Sequence, residues 1–123
     1  MADSFRDLIA WQKAMDLVTL IYTVTDDFPR KEMYGLTRQV RDAALSVPSN
    51  IAEGKGRQTK RDYVQFLFRA RGSLYEVQTQ LEAAKRLKFL DAERFVLSDS
   101  LAIETGQVLN GLIRSVQRQI ASP

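Results

Sequence analysis

Apolar residues recur at every third or fourth position in four separate stretches of this chain, and no stretch sustains the alternation of a strand. That rhythm is the period of the α-helix, and it narrows the fold class to all-α before any other property is considered. The first stretch predicts a helix over about residues 5–26, with Leu8, Trp11, Met15, Val18, Tyr22 and Thr25 on its core face. Pro29 ends that run. A second helix is expected over 33–53, with Leu36, Val40, Ala43, Val47 and Ile51 facing inward. The third, over 59–87, carries Tyr63, Phe66, Leu67, Ala70, Leu74, Val77, Leu81 and Ala84, with Thr59 placed to cap its start. The fourth, over 92–121, carries Phe95, Ser98, Ala102, Thr105, Leu109, Leu112, Val116 and Ile120, with Asp91 as N-cap. Short joints between long helices favour antiparallel neighbours, so the expectation is an up-down-up-down four-helix bundle, a single domain spanning 1–123.

Composition removes several kinds of function. The 123 residues include no cysteine and no histidine, so disulfides, thiolate chemistry and imidazole ligands are all absent. No apolar run reaches the roughly 20 residues of a membrane span, and the first residues carry acids where an export signal is basic. The expected setting is the cytoplasm, with no metal and no cofactor. A catalytic site would need Asp, Glu, Lys, Tyr or Ser, and Glu53, Glu76, Glu82 and Glu104 are the candidates for an all-carboxylate one. Only Glu53 comes near a predicted core stripe, so no enzyme is expected.

Residues 44–57, ALSVPSNIAEGKGR, interrupt the second helix with Pro48 and close it with Gly54 and Gly56. The plain reading is a bent helix, because proline leaves the carbonyl of Ala44 without its usual partner, followed by a glycine stop. The functional reading is a glycine turn that cradles phosphate beside Arg57 and Lys60. It lacks both the spacing of a P-loop and a preceding strand. At 100° per residue Asn50 falls at the edge of the apolar stripe and should face the core, bonded to Ser46, Glu53 or backbone.

Charge is unevenly spread. From Lys55 to Arg71 lie Lys55, Arg57, Lys60, Arg61, Arg69 and Arg71 against the single acid Asp62, in a chain of net charge +3. Such residues are the material of phosphate binding, although on the helical wheel they form a broad collar rather than one stripe. A solvated helix face is the competing reading. Apolar residues are also in surplus. A second line on helix three, Val64, Phe68 and Tyr75, and another on helix one with Leu17 and Val24, are candidates for a surface between copies.

The segments FRDLIAWQKAMDL, FPRKEMYGLTRQVRDAALSVPSNIAEGKGR, FLFRARGSLYEVQTQL and LEAAKRLKFL together resemble the small bacterial four helix bundle proteins, some of them encoded in intervening sequences of large-subunit ribosomal RNA genes. The strongest parts are YGL, SNIAEGKGR and GSLYE, and the resemblance covers about three quarters of the chain. It marks Tyr34, Gly35, Leu36, Asn50, Glu53, Gly54, Gly56 and Arg57 as motif residues. It implies a closed bundle, a homopentameric ring and no established catalysis. Relatives include accessory proteins of diversity-generating retroelements, which handle nucleic acid. The combined expectation is a homo-oligomeric scaffold or accessory protein binding RNA or DNA non-specifically through its basic collar. The alternative is a protein–protein interaction ring with no nucleic-acid role.

Overall fold

The computed structural model describes residues 4–121. Four helices carry the fold: α1 Ile9–Thr25, α2 Leu36–Lys55, α3 Lys60–Arg86 and α4 Ala92–Ala121. Short 3₁₀ turns at Phe5–Asp7 and Arg30–Glu32 precede α1 and α2. Among the described residues α1 packs on α2, α2 on α3, α3 on α4, and α4 closes on α1, while the diagonal pairs do not meet. That cyclic order is the antiparallel up-down-up-down bundle. One end gathers the starts of α1 and α3 with the finishes of α2 and α4; the other gathers the remaining termini.

Each joint has its own chemistry. Glu32 caps α2 from outside the helix, its Oε1 accepting from the Leu36 amide at 3.1 Å. A Cβ on Gly35 would lie 2.9 Å from that oxygen, which accounts for a glycine there. Thr59 Oγ1 accepts from the Asp62 amide and Asp91 Oδ1 from the Arg94 amide, so both predicted N-caps form. α3 ends in a Schellman turn: the Phe89 amide reaches the Ala84 carbonyl at 2.9 Å and the Lys88 amide reaches Lys85 at 3.0 Å. Lys88 takes the left-handed φ of 66° that this turn demands.

The inward stripes of α2, α3 and α4 hold as expected. Val40, Val47 and Ile51, then Leu67, Leu74, Val77 and Leu81, then Leu109 and Val116 form the core. α1 is rotated from its expected setting. Ala10, Ala14, Leu17, Ile21 and Val24 are buried, as are the expected Val18 and Thr25, while Tyr22 is exposed and Trp11 only half-buried. Leu17 and Val24 therefore belong to the bundle's own core and offer nothing to a second chain. Val64 is buried in the same way, and Phe68 is half-buried against the core, leaving Tyr75 as the one exposed member of the proposed set. The small side chains of Ala10 and Ala14 let α1 approach its neighbours closely, and this line wins over the bulkier amphipathic one.

α2 continues through Pro48 to Lys55, past the stop expected at Glu53. Gly54 is not a left-handed stop; among the described residues no glycine has positive φ. It sits instead where α2 crosses the start of α3. A Cβ there would come within 2.7 Å of Phe66 Cβ, 3.1 Å of Tyr63 Cδ1 and 3.2 Å of the Tyr63 carbonyl. Gly54 thus sets the spacing of two helices. One turn away, Asn50 Nδ2 donates to the Ser46 carbonyl at 2.8 Å and to Ser46 Oγ at 2.9 Å. Ser73 Oγ donates to the same Ser46 Oγ at 2.8 Å, tying α2 to α3. Asn50 lies half-buried at the core's edge, and Glu53 is not its partner: that carboxylate is exposed and pairs with Arg57.

Candidate nucleic-acid interface

The two halves of the bundle carry similar numbers of cations, but the half that holds the start of α3 carries far fewer acids. Arg6, Lys13, Lys55, Arg57, Lys60, Arg61, Arg69, Arg71, Arg114 and Arg118 fall in that half, against Asp7, Asp16, Glu53 and Asp62 among the described residues, with Glu104 near mid-height paired to Lys13. The opposite half balances Arg30, Lys31, Arg38, Arg41, Lys85, Arg86, Lys88 and Arg94 with Asp26, Asp27, Glu32, Asp42, Glu76, Glu82, Asp91, Glu93 and Asp99. The bundle is polarised along its axis. Arg114 and Arg118 were not among the expected residues. The signal for them was their place near the end of the last helix, which an antiparallel fold returns beside the start of α3.

Four of the six predicted cations lie over aromatic rings, and one of the four, Arg57, also pairs with a carboxylate. Close approach at Gly54 buries Phe66 between α2 and α3, to 7% exposure. Arg57 Cζ lies 4.3 Å from the Phe66 centroid and Arg69 Cζ lies 4.5 Å from it. Lys60 Nζ lies 6.0 Å from the Tyr63 centroid, and Arg71 Cζ lies 5.0 Å from that of Phe68. Three of these are pairs spaced by three residues on α3, where side chains share a face. A ring attracts the cation without cancelling its charge, so the guanidinium edges stay available to an anion. Of the six predicted cations, only Arg57 lies within ion-pair distance of a carboxylate among the described residues, Glu53 at 3.0 Å. Lys55 is half-buried at the last turn of α2, and Arg61 is exposed on the α4 side.

The collar has two parts. Arg57, Lys60 and Arg69 group around Phe66 and Tyr63 on the α2 side. Arg61 lines an open groove with Val64, Gln65, Phe68, Gln117 and Ile120 on the α4 side, and Arg71 Nη1 donates to Asn110 there at 3.2 Å. The turn itself does not cradle phosphate. The Gly56 amide is taken by the Ala52 and Glu53 carbonyls and the Arg57 amide by Gly54, so both donors are used inside the helix cap. Burial raises the pKa of the Tyr63 phenol, whose hydroxyl has no partner in the structure.

The carboxylates do not converge. Glu53 pairs with Arg57, Glu82 with Arg86 and Glu104 with Lys13, on separate parts of the surface. The Glu104 contact raises the pKa of Lys13, through the hydrogen bond first and the charge second. Among the described residues no three acids gather as a metal site, and no helix is long and apolar enough to cross a membrane.

A family model described as 23S rRNA-intervening sequence protein matches residues 6–111. No curated protein matches the chain. A solved structure from Bacteroides thetaiotaomicron, a protein with unknown function from the S23 ribosomal protein family, superposes with a TM-score of 0.77 at 18% identity. The match covers 85% of this chain and 98% of that one.

Proposed function

The chain belongs to the 23S rRNA-intervening sequence protein family, and from that premise we propose that it is a non-enzymatic accessory protein of the cytoplasm. It works as a homo-oligomer, in the ring that the family resemblance implies, and offers its basic end to the phosphates of RNA or DNA. The observation that carries this reading is the axial separation of charge, with Lys60, Arg69 and Arg71 resting on Tyr63, Phe66 and Phe68 and outside ion-pair distance of any described carboxylate. Phosphate contact of this kind supplies affinity without reading bases.

The test is a titration of labelled single-stranded RNA and duplex DNA, wild type beside the triple variant Arg57→Ala, Lys60→Ala, Arg61→Ala. Binding by the wild type should fall steeply with salt. The variant should bind more weakly to every sequence, with a log–log salt slope on duplex shallower by up to about 2.7 per engaged protomer, since each neutralised phosphate contributes about 0.9. Absence of binding at low salt, or binding that the triple variant leaves unchanged, overturns the nucleic-acid role. The protein-only ring then becomes the better account, and the exposed apolar side chains at the opposite end favour it.

A further inference from the structure

Scattered apolar side chains on a protein surface mean little, but clustered ones mark contact sites. Two clusters stand out, both nearer the end away from the basic collar. The first is an open dent of about 250 Å³ where the joint before α2 meets α1 and α2. Tyr34, 85% exposed, lines it with Met33, Tyr22, Arg38 and Arg41. The second is a ridge on α4 formed by Val96, Leu97 and Ile103, which are 60%, 56% and 48% exposed. At 100° per residue Val96 and Ile103 lie roughly opposite the buried line of Ser98, Thr105 and Leu109, so the ridge points away from the core.

Nothing within the chain can cover either cluster with the other. α2 and α4 are diagonal and do not meet. The charges are nonetheless complementary. Glu93 shares the outward face of the ridge. Arg38 is held only loosely, by Asp42 at 3.7 Å, with both side chains about two-thirds exposed. We infer that the Tyr34 dent of one copy receives the Val96–Ile103 ridge of a second copy, with Arg38 turned toward the second copy's Glu93. The inference rests on the homo-oligomer proposed above and names the two faces that build it. Because the faces differ and lie on opposite sides of the bundle, the contact is head-to-tail, and its repetition closes a ring or runs on as a filament.

A head-to-tail contact has a diagnostic that a self-complementary one lacks. Tyr34→Glu spoils only the dent; Val96→Glu with Ile103→Glu spoils only the ridge. These side chains are exposed, so each variant should keep the wild-type helicity and melting behaviour by circular dichroism. By light scattering the wild type should be an oligomer, and each variant alone should have the mass of one chain, 14.0 kDa. An equimolar mixture should yield a pair of about twice that mass, joined by the one intact dent and the one intact ridge, and should stop there. A monomeric wild type would overturn both the proposed oligomer and this contact. An oligomeric wild type whose folded variants stay oligomeric, or stay monomeric when mixed, would overturn the contact alone. The triple variant of the nucleic-acid titration alters side chains at the other end, so its comparison with the wild type is read separately.

Discussion

Gly54 and Gly72 are both glycines inside helices, and substitution by alanine should move stability in opposite directions at the two sites. Helix propensity alone favours alanine over glycine by about 0.8–1.0 kcal/mol at either position. At Gly72 nothing stands within 4 Å of the added Cβ, so Gly72→Ala should realise nearly all of that gain. At Gly54 the new Cβ would meet Phe66 Cβ at 2.7 Å. That atom is fixed to the α3 backbone and cannot swing aside, and the Tyr63 carbonyl at 3.2 Å is backbone too. α2 and α3 would have to part by several tenths of an ångström. Overpacking of this kind costs about 1–3 kcal/mol, and more where backbone must move. Subtracting the propensity gain leaves Gly54→Ala destabilised by up to about 2 kcal/mol. Urea unfolding followed by circular dichroism measures both variants against the wild type. For a domain of this size the two should melt on opposite sides of the wild type, by about 3–5 °C per kcal/mol. A Gly54→Ala protein as stable as Gly72→Ala would refute the claim that this glycine sets the α2–α3 spacing.

The remaining perturbations concern buried polar groups. Tyr63→Phe removes a hydroxyl without a partner and should stabilise the fold by up to about 1 kcal/mol near neutral pH. The buried phenol keeps its proton above its ordinary value of 10.0 while the unfolded one ionises there, so this residue's contribution is intact below that pH and is lost as pH rises through the raised value. The gap between variant and wild type should therefore widen from pH 9 to about pH 11, and a constant gap would count against the burial of this ring. Asn50→Leu removes the donor to the Ser46 carbonyl and hydroxyl and should cost about 1–2 kcal/mol; a double-mutant cycle of Ser46→Ala with Ser73→Ala that showed no coupling would contradict the bridge between α2 and α3.

Periodicity was a sufficient guide to α2, α3 and α4, because each has one wide apolar face and one charged face. α1 defeated it. Its 17 residues are apolar on most sides, with Trp11, Met15 and Tyr22 on one line and Leu17, Ile21 and Val24 on another. Spacing cannot rank two lines of equal period. The usable signal was size and chemistry: Ala10 and Ala14 permit close approach, while Trp and Tyr tolerate a wet edge. The cations follow a similar division. The pairings Tyr63 with Lys60, Phe66 with Arg69 and Phe68 with Arg71 were readable as steps of three on one helix. Arg57 over Phe66 was not, because it depends on α2 and α3 crossing at Gly54. The glycines after Pro48 look alike in sequence, yet one spaces two helices and the other caps one. Only the neighbouring helix distinguishes them.

The basic end and the apolar dent and ridge lie toward opposite ends of the bundle, and that separation matters for any ring. Rotation about a common axis leaves each residue at the same height in every copy. Copies joined at the dent and ridge therefore carry their Phe66 clusters at one level, as a closed cationic circle instead of patches facing different ways. No charge from the basic collar is consumed by the contact, since Arg38 and Glu93 belong to the other half. The proposed phosphate affinity of one protomer would rest on a handful of exposed cations. On a ring the same nucleic acid can touch several protomers at once, and each further contact is made at the high local concentration set by the first. The salt dependence then scales with the number of protomers engaged. Disrupting the ridge should therefore weaken the proposed nucleic-acid binding and flatten its salt slope, although Val96 and Ile103 stand away from the cations of the basic collar. If the ridge variant, shown to be monomeric, bound nucleic acid as tightly as the wild type, one protomer would suffice and the ring would have to serve another purpose.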